Sequence, residues 1–83
     1  MKTYSKLSQT VDLMNSTDWK ERLIAEYVQA EIRLQKLRNV PVKYHEMIVQ
    51  INVLESYTTI LLQRMFNENI DMPYVDIMDE KRE

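Results

Sequence analysis

Two stretches of heptad-like apolar spacing, separated by a proline, leave this chain few folds to choose from. In the first, Trp19, Leu23, Tyr27, Ala30, Leu34 and Leu37 recur at steps of four, four, three, four and three, the spacing of one face of an α-helix. In the second, Tyr44, Met47, Ile51, Leu54, Thr58, Leu61 and Met65 step by three, four, three, four, three and four. A proline inside a helix loses a hydrogen bond and clashes with the preceding turn, whereas the first position of a helix tolerates it. Pro41 therefore predicts the end of one helix and the start of the next, with the turn at Asn39-Val40-Pro41. So short a loop forces antiparallel neighbours, and residues 18–67 read as a helical hairpin whose two seams pack on each other.

The flanks of the hairpin are less regular. Residues 3–14 read as a short helix with Leu7, Val11 and Met14 on one side and Tyr4 leading into it; about 12 residues is marginal for a helix alone in water, so it must dock. Asn15-Ser16-Thr17-Asp18 is a run of capping residues, and Asp18 and Glu21 put negative charge at the positive end of the next helix. After Phe66, Asn67-Glu68-Asn69 and Pro73 break the helical pattern, leaving a short extended or single-turn segment that either docks on a neighbour or stays loose. The expected organisation is a short N-terminal helix and capping linker at 1–16, the hairpin at 17–69, and an acidic tail at 70–83, with an all-α fold throughout.

A chain of 83 residues is one domain at most, and one that buries only about 60 % of its unfolded surface. With no cysteine and a single histidine it has neither a disulfide nor a zinc site to staple it. The absence of glycine removes glycine-cradled phosphate loops and argues against nucleotide-hydrolysing enzymes that use them. No apolar run approaches the roughly 20 residues that span a bilayer, and the N-terminus lacks the apolar core of a secretion signal, so a cytoplasmic protein with no membrane partner is expected. The net charge of −2 hides an asymmetry: residues 20–64 carry seven basic and five acidic side chains, residues 65–83 two basic and six acidic. This is too weak a basic surface for a nucleic-acid polymer, and it still permits a small anion held by two or three cations.

Around the first arm, Arg22, Glu26, Gln29, Arg33 and Lys36 form a polar stripe, and by itself that pattern reads as a solvated face of i,i+4 pairs. Ile24, Val28 and Ile32 form a second apolar line away from the main seam. A solvated hairpin needs one apolar face per helix, so the second line implies a second packing partner. Val53 and Ile60 likewise lie outside the seam of the second arm. Two arms with apolar residues on two sides predict a homo-oligomer.

The sequence offers no catalytic constellation: no cysteine, and no serine or threonine patterned with His and Asp. His45 reads as a partly exposed surface histidine. Neither a metal nor a cofactor is expected, and the chain does not read as an enzyme. Tyr4, on a short docked segment close to Trp19-Lys20-Glu21-Arg22, has the position to bring a flat ring near two cations, the combination a nucleotide requires.

These residues resemble the small phage proteins whose hairpin domain is shared by anti-CBASS and Thoeris anti-defence sponges. The matching pattern is Glu21-Arg22-Leu23-Ile24, Glu26, Arg33 and Lys36-Leu37 in the first arm, with Gln50-Ile51, Leu54, Tyr57, Leu61 and Arg64 in the second, about half of the chain. Tyr4, Leu7-Ser8, Leu13-Met14-Asn15 and Lys20 are similar to the nucleotide-binding end of the anti-CBASS members. The chain departs from the family in its short loop at Val40-Pro41 and in its acidic tail from Pro73. The resemblance implies a helical homo-oligomer, commonly a hexamer, that sequesters a cyclic nucleotide or cyclic ADP-ribose signal in an infected bacterial host without cleaving it. It also implies that Tyr4 stacks on a base, that Lys20 or Arg22 holds phosphate, and that Tyr57 and Arg64 belong to a second or shared site. The competing expectation is a protein-interaction hairpin, a phage inhibitor of a host protein or an assembly factor, using its mixed lateral face.

Overall fold

The computed structural model describes residues 3–41 and 44–78. In chain order these form a short strand β1 (Thr3–Tyr4), a 3₁₀ turn (Leu7–Thr10), a single α-turn α1 (Val11–Met14), the long helices α2 (Trp19–Arg38) and α3 (His45–Asn67), and a second short strand β2 (Tyr74–Val75). The long helix pair is the expected hairpin, and its termini have local causes. The Asp18 carboxylate accepts from the Lys20 N–H at 2.9 Å, capping α2, while the Ser16 hydroxyl accepts from the Asp18 N–H at 3.0 Å. Lys36 and Arg38 occupy the last turn, where cations suit the helix dipole. At the far end of α3, Asn69 takes a left-handed φ of 58°. The Asn69 N–H then reaches the Phe66 carbonyl and the Ile70 N–H reaches that of Met65, a Schellman closure in which asparagine replaces the usual glycine.

Three expectations need correction. Pro41 ends α2 but does not start α3, whose first residue is His45 after an extended Tyr44. Proline's fixed φ suits a turn as well as a helix start, and Tyr44 is exposed, so nothing in the seam holds the helix that far back. Residues 42–43 of this connection lie outside the described residues. Secondly, the N-terminal helix does not begin at residue 3. The Gln9 side-chain oxygen accepts from the Ser5 and Lys6 N–H groups at 2.7 and 2.9 Å, so the chain stays extended until the turn at Leu7–Thr10. Thirdly, the fold is not helical from end to end, because β1 and β2 pair in parallel, Thr3 with Tyr74 and Tyr4 with Val75.

The tail therefore docks on its own chain, at least as far as the described residues run. The Asp76 N–H donates to the Tyr4 carbonyl at 2.9 Å. On the other side of β2, the Gln35 amide of α2 donates to the Val75 carbonyl at 2.7 Å and accepts from the Ile77 N–H at 3.0 Å. One side-chain amide thus does for β2 what a neighbouring strand's peptide unit would do. Gln35→Leu leaves that carbonyl and N–H without their partner, at a cost of about 1–3 kcal/mol. Because 1 kcal/mol moves the melting point of a domain this size by roughly 4–8 °C, thermal denaturation should show a drop of several degrees; an unchanged melting point would contradict the clamp.

The core shows why the second apolar line exists. On one side of α2, Leu23, Tyr27, Ala30 and Leu34 are buried, at the angular positions that also bring Arg38 to Glu55 of α3, 3.0 Å away. On roughly the opposite side, at 100° per residue, Val28 and Ile32 are 0 % exposed. Their cluster takes in Tyr4, with Leu13, Val75 and Ile77 packed against it, and Gln29 on the same flank donates to the Thr10 hydroxyl at 3.0 Å. The cover expected from another subunit is supplied by the chain's own two ends. The line Ile24, Val28, Ile32 is thus no ground for an oligomer, and α2 is the middle layer of a protomer that covers it on both faces.

Tyr27 in this core carries a measurable consequence. Burial, reinforced by the negative charge of Glu31, pushes its phenol from the usual 10 up to about 12. The unfolded chain ionises first, so it binds fewer protons than the folded one once the pH passes 10. The stability Tyr27 contributes is complete below about pH 10 and is lost as the pH climbs toward about 12. Tyr27→Phe should flatten that part of the stability–pH curve, read by urea denaturation at a series of alkaline pH values.

Candidate functional site

A cleft of about 460 Å³ opens where α1, the first half of α2 and the end of α3 meet, lined by Met14, Trp19, Arg22, Leu23, Ala25, Glu26, Gln29 and Arg64. Hairpin geometry builds it. With α2 ending at Arg38 and α3 starting at His45, an antiparallel pair brings the start of α2 level with the end of α3, so Arg22 and Arg64 line one opening although 42 residues separate them. The Arg22 guanidinium donates to the Ser16 carbonyl at 2.8 Å, which anchors it to the capping turn. Trp19 forms an edge of the cleft and is 44 % exposed, with the Lys20 ammonium 5.8 Å from its ring centroid, within the range of a cation–π contact.

The polar groups of the lining are partly committed. Gln29 donates to the Thr10 hydroxyl and to the Met14 sulfur. Tyr57 is pushed up from its ordinary value by burial and by Glu26, whose charge opposes ionisation and which takes a hydrogen bond from the phenol, while Arg64 pulls the other way. Glu26 is thus engaged by Tyr57, and the two arginines against this one carboxylate leave the lining at a formal +1. An open cleft with one guanidinium in excess of its carboxylate favours an anion. Among the described residues, no group of three or more His, Cys, Asp or Glu side chains is placed to hold a metal ion, and no helix is long and apolar enough to cross a membrane.

Of the residues singled out from the sequence, Arg22 and Arg64 line the cleft, Lys20 sits over its Trp19 edge, and Tyr57 reaches it through Glu26. Tyr4 does not join them. Its side chain is 8 % exposed and packs in the core with Val28 and Ile32, and its backbone is held in the β1–β2 pair. The flat ring that borders the cations is Trp19, which periodicity assigns to the hairpin seam. The signal that finds it is positional, since the first residue of a capped helix is too far from the middle of the seam to be covered on all sides.

A second concavity of about 350 Å³ lies along the C-terminal half of α3, lined by Thr59, Leu62, Gln63, Met65, Phe66 and Met72. It carries no charged group, and Phe66 stands 81 % exposed at its edge. Set against family models, curated proteins and solved structures, the chain matches none of them.

Proposed function

We propose that this chain is a binding protein that takes a small anionic ligand with a flat ring into the arginine-lined cleft and holds it without cleaving it. The observation that carries this reading is the convergence of Arg22 and Arg64 from two helices on one opening edged by Trp19. Guanidinium groups offer planar pairs of donors that match phosphate, and an indole face stacks on any base. A volume near 460 Å³ falls within the range of small-molecule sites. Joined to the family resemblance, the ligand class is a cyclic nucleotide or cyclic ADP-ribose signal, and the biological role is phage anti-defence by sequestration, with the cytoplasmic protein self-associating up to a homohexamer.

The test uses protein purified from cells that make such a signal. Heat release followed by mass spectrometry should return the intact cyclic compound. Linear product would make the protein an enzyme, and an empty eluate from every signalling strain would remove the reading.

One observation favours the other reading, a protein-interaction module: the uncharged groove beside the exposed Phe66 ring. Apolar grooves of this kind accept apolar anchors of a partner helix. Phe66→Ser separates the two, because it should weaken capture of a protein partner and leave uptake of an anion in the arginine cleft unchanged.

A further inference from the structure

Helix α3 carries an apolar line that the protomer does not use. Ile51, Thr58, Leu61 and Met65 are buried. Roughly 140° around the helix, at 100° per residue, Val49, Val53 and Ile60 are 46 %, 61 % and 55 % exposed. With Ser56 between the last two, the spacing is four, three and four, a heptad-like seam of small and β-branched residues turned away from α2.

Charge says what fits this seam. Glu46 and Arg64 are 18 residues apart, five turns of 3.6 residues, so they lie on one flank of the seam, the acid at one end and the base at the other. The midpoint between Glu46 and Arg64 is Glu55, and the midpoint between Val49 and Ile60 lies between Leu54 and Glu55. The apolar and charged patterns therefore share a centre.

We propose that a second copy of this chain docks on this face, α3 against α3, antiparallel about a two-fold axis near residue 55. Such an axis keeps each flank on its own side and reverses direction along the helix. It sets Val49 against Ile60 of the partner subunit, Val53 against Ser56 of the partner subunit, and Glu46 beside Arg64 of the partner subunit, with every contact made twice. A parallel pair would put the two Glu46 carboxylates at one level on opposite flanks, with no cation opposite either. A partner of a single charge sign gains at one end of the seam and loses at the other, so the pattern fits its own copy better than a uniformly acidic or basic surface. Arg64 also borders the cleft, and its planar fork of five donors can serve a carboxylate on one edge while the other stays free. The apolar part of the seam covers 12 residues, whose 11 steps of 1.5 Å come to about 17 Å, so the pairing is reversible and depends on concentration. It stands independently of the ligand reading, because it rests on the seam and on Glu46, and its readout is association.

Sedimentation equilibrium of the full chain over a wide concentration range tests it. A dimer, or an even-numbered assembly built of dimers, is expected. Val53→Asp should weaken association by about tenfold or more, since it removes two apolar contacts and adds two unpaired charges, with helical circular dichroism unchanged; Ile60→Glu repeats the measurement on a second seam residue. Glu46→Arg should weaken association through like charges at both ends, and Glu46→Arg with Arg64→Glu should restore it. Phe66→Ser, on another side of α3, should leave it unchanged. A monomer at every concentration, an assembly that survives both seam variants, a charge-swapped double variant that stays dissociated, or an assembly lost with Phe66→Ser would overturn the proposal.

Discussion

Val28→Lys should leave the chain without its native fold. Val28 is 0 % exposed on the face of α2 that the chain's two ends cover, and no carboxylate is buried among the described residues. An ammonium placed there is buried and unpaired, which costs several kcal/mol. For 83 residues, a total stability of roughly 0.05–0.15 kcal/mol per residue comes to about 4–12 kcal/mol, so one such charge removes much or all of it. The same substitution at Val53, 61 % exposed, should keep full helicity. Far-UV circular dichroism of the two variants compares the two apolar lines directly. Native helicity in Val28→Lys would mean that the termini are not docked on α2 as described.

That contrast marks where the sequence could be read and where it could not. Long periodic segments announce themselves, so the hairpin, the capping run before α2 and the helix break after Phe66 follow from spacing and residue type. Strands of two residues have no room for alternation, and β1 pairs with β2 across some 70 residues. The local signals at Tyr4 and Tyr74 are thus silent about each other. Val28 and Ile32 correctly signal a second partner, but an apolar stripe does not say whether its cover comes from another subunit or from the same chain. Gln35 shows the same limit for polar groups: in sequence it is one more residue of a charged helix, and only the placement of β2 gives its amide two backbone partners. At the cleft, the resemblance named both Arg22 and Arg64 but left Arg64 to a second or shared site, and it is the antiparallel placement of α2 and α3 that brings the two to one opening. Tyr4 does not join them, because an aromatic on a short flanking segment can be spent on the core, and here it is.

The second large effect concerns those arginines. Arg22→Glu with Arg64→Glu turns the lining from a formal +1 to −3 by replacing two positive charges with two negative ones. Each wild-type guanidinium stands to make at least one charge-assisted bond to an anion, worth about 1.5–3 kcal/mol, so losing both is expected to weaken binding by at least about a hundredfold before repulsion is counted. Both side chains are exposed, so the variant should fold. Calorimetric titration of the folded double variant, compared with the wild type, reads the loss; equal affinities would remove the arginines from the site.

Fluorescence of Trp19, the one tryptophan in the chain and an edge of the cleft, gives the most direct measurement. Wild-type protein is titrated with a panel of cyclic di- and trinucleotides and cyclic ADP-ribose isomers, and its melting point is followed in parallel. If the cleft is an anion site with a stacking wall, at least one compound should change Trp19 emission saturably and, at 100 times its dissociation constant, stabilise the fold by about 2.7 kcal/mol. Flat emission and an unmoved melting point across the whole panel would contradict it.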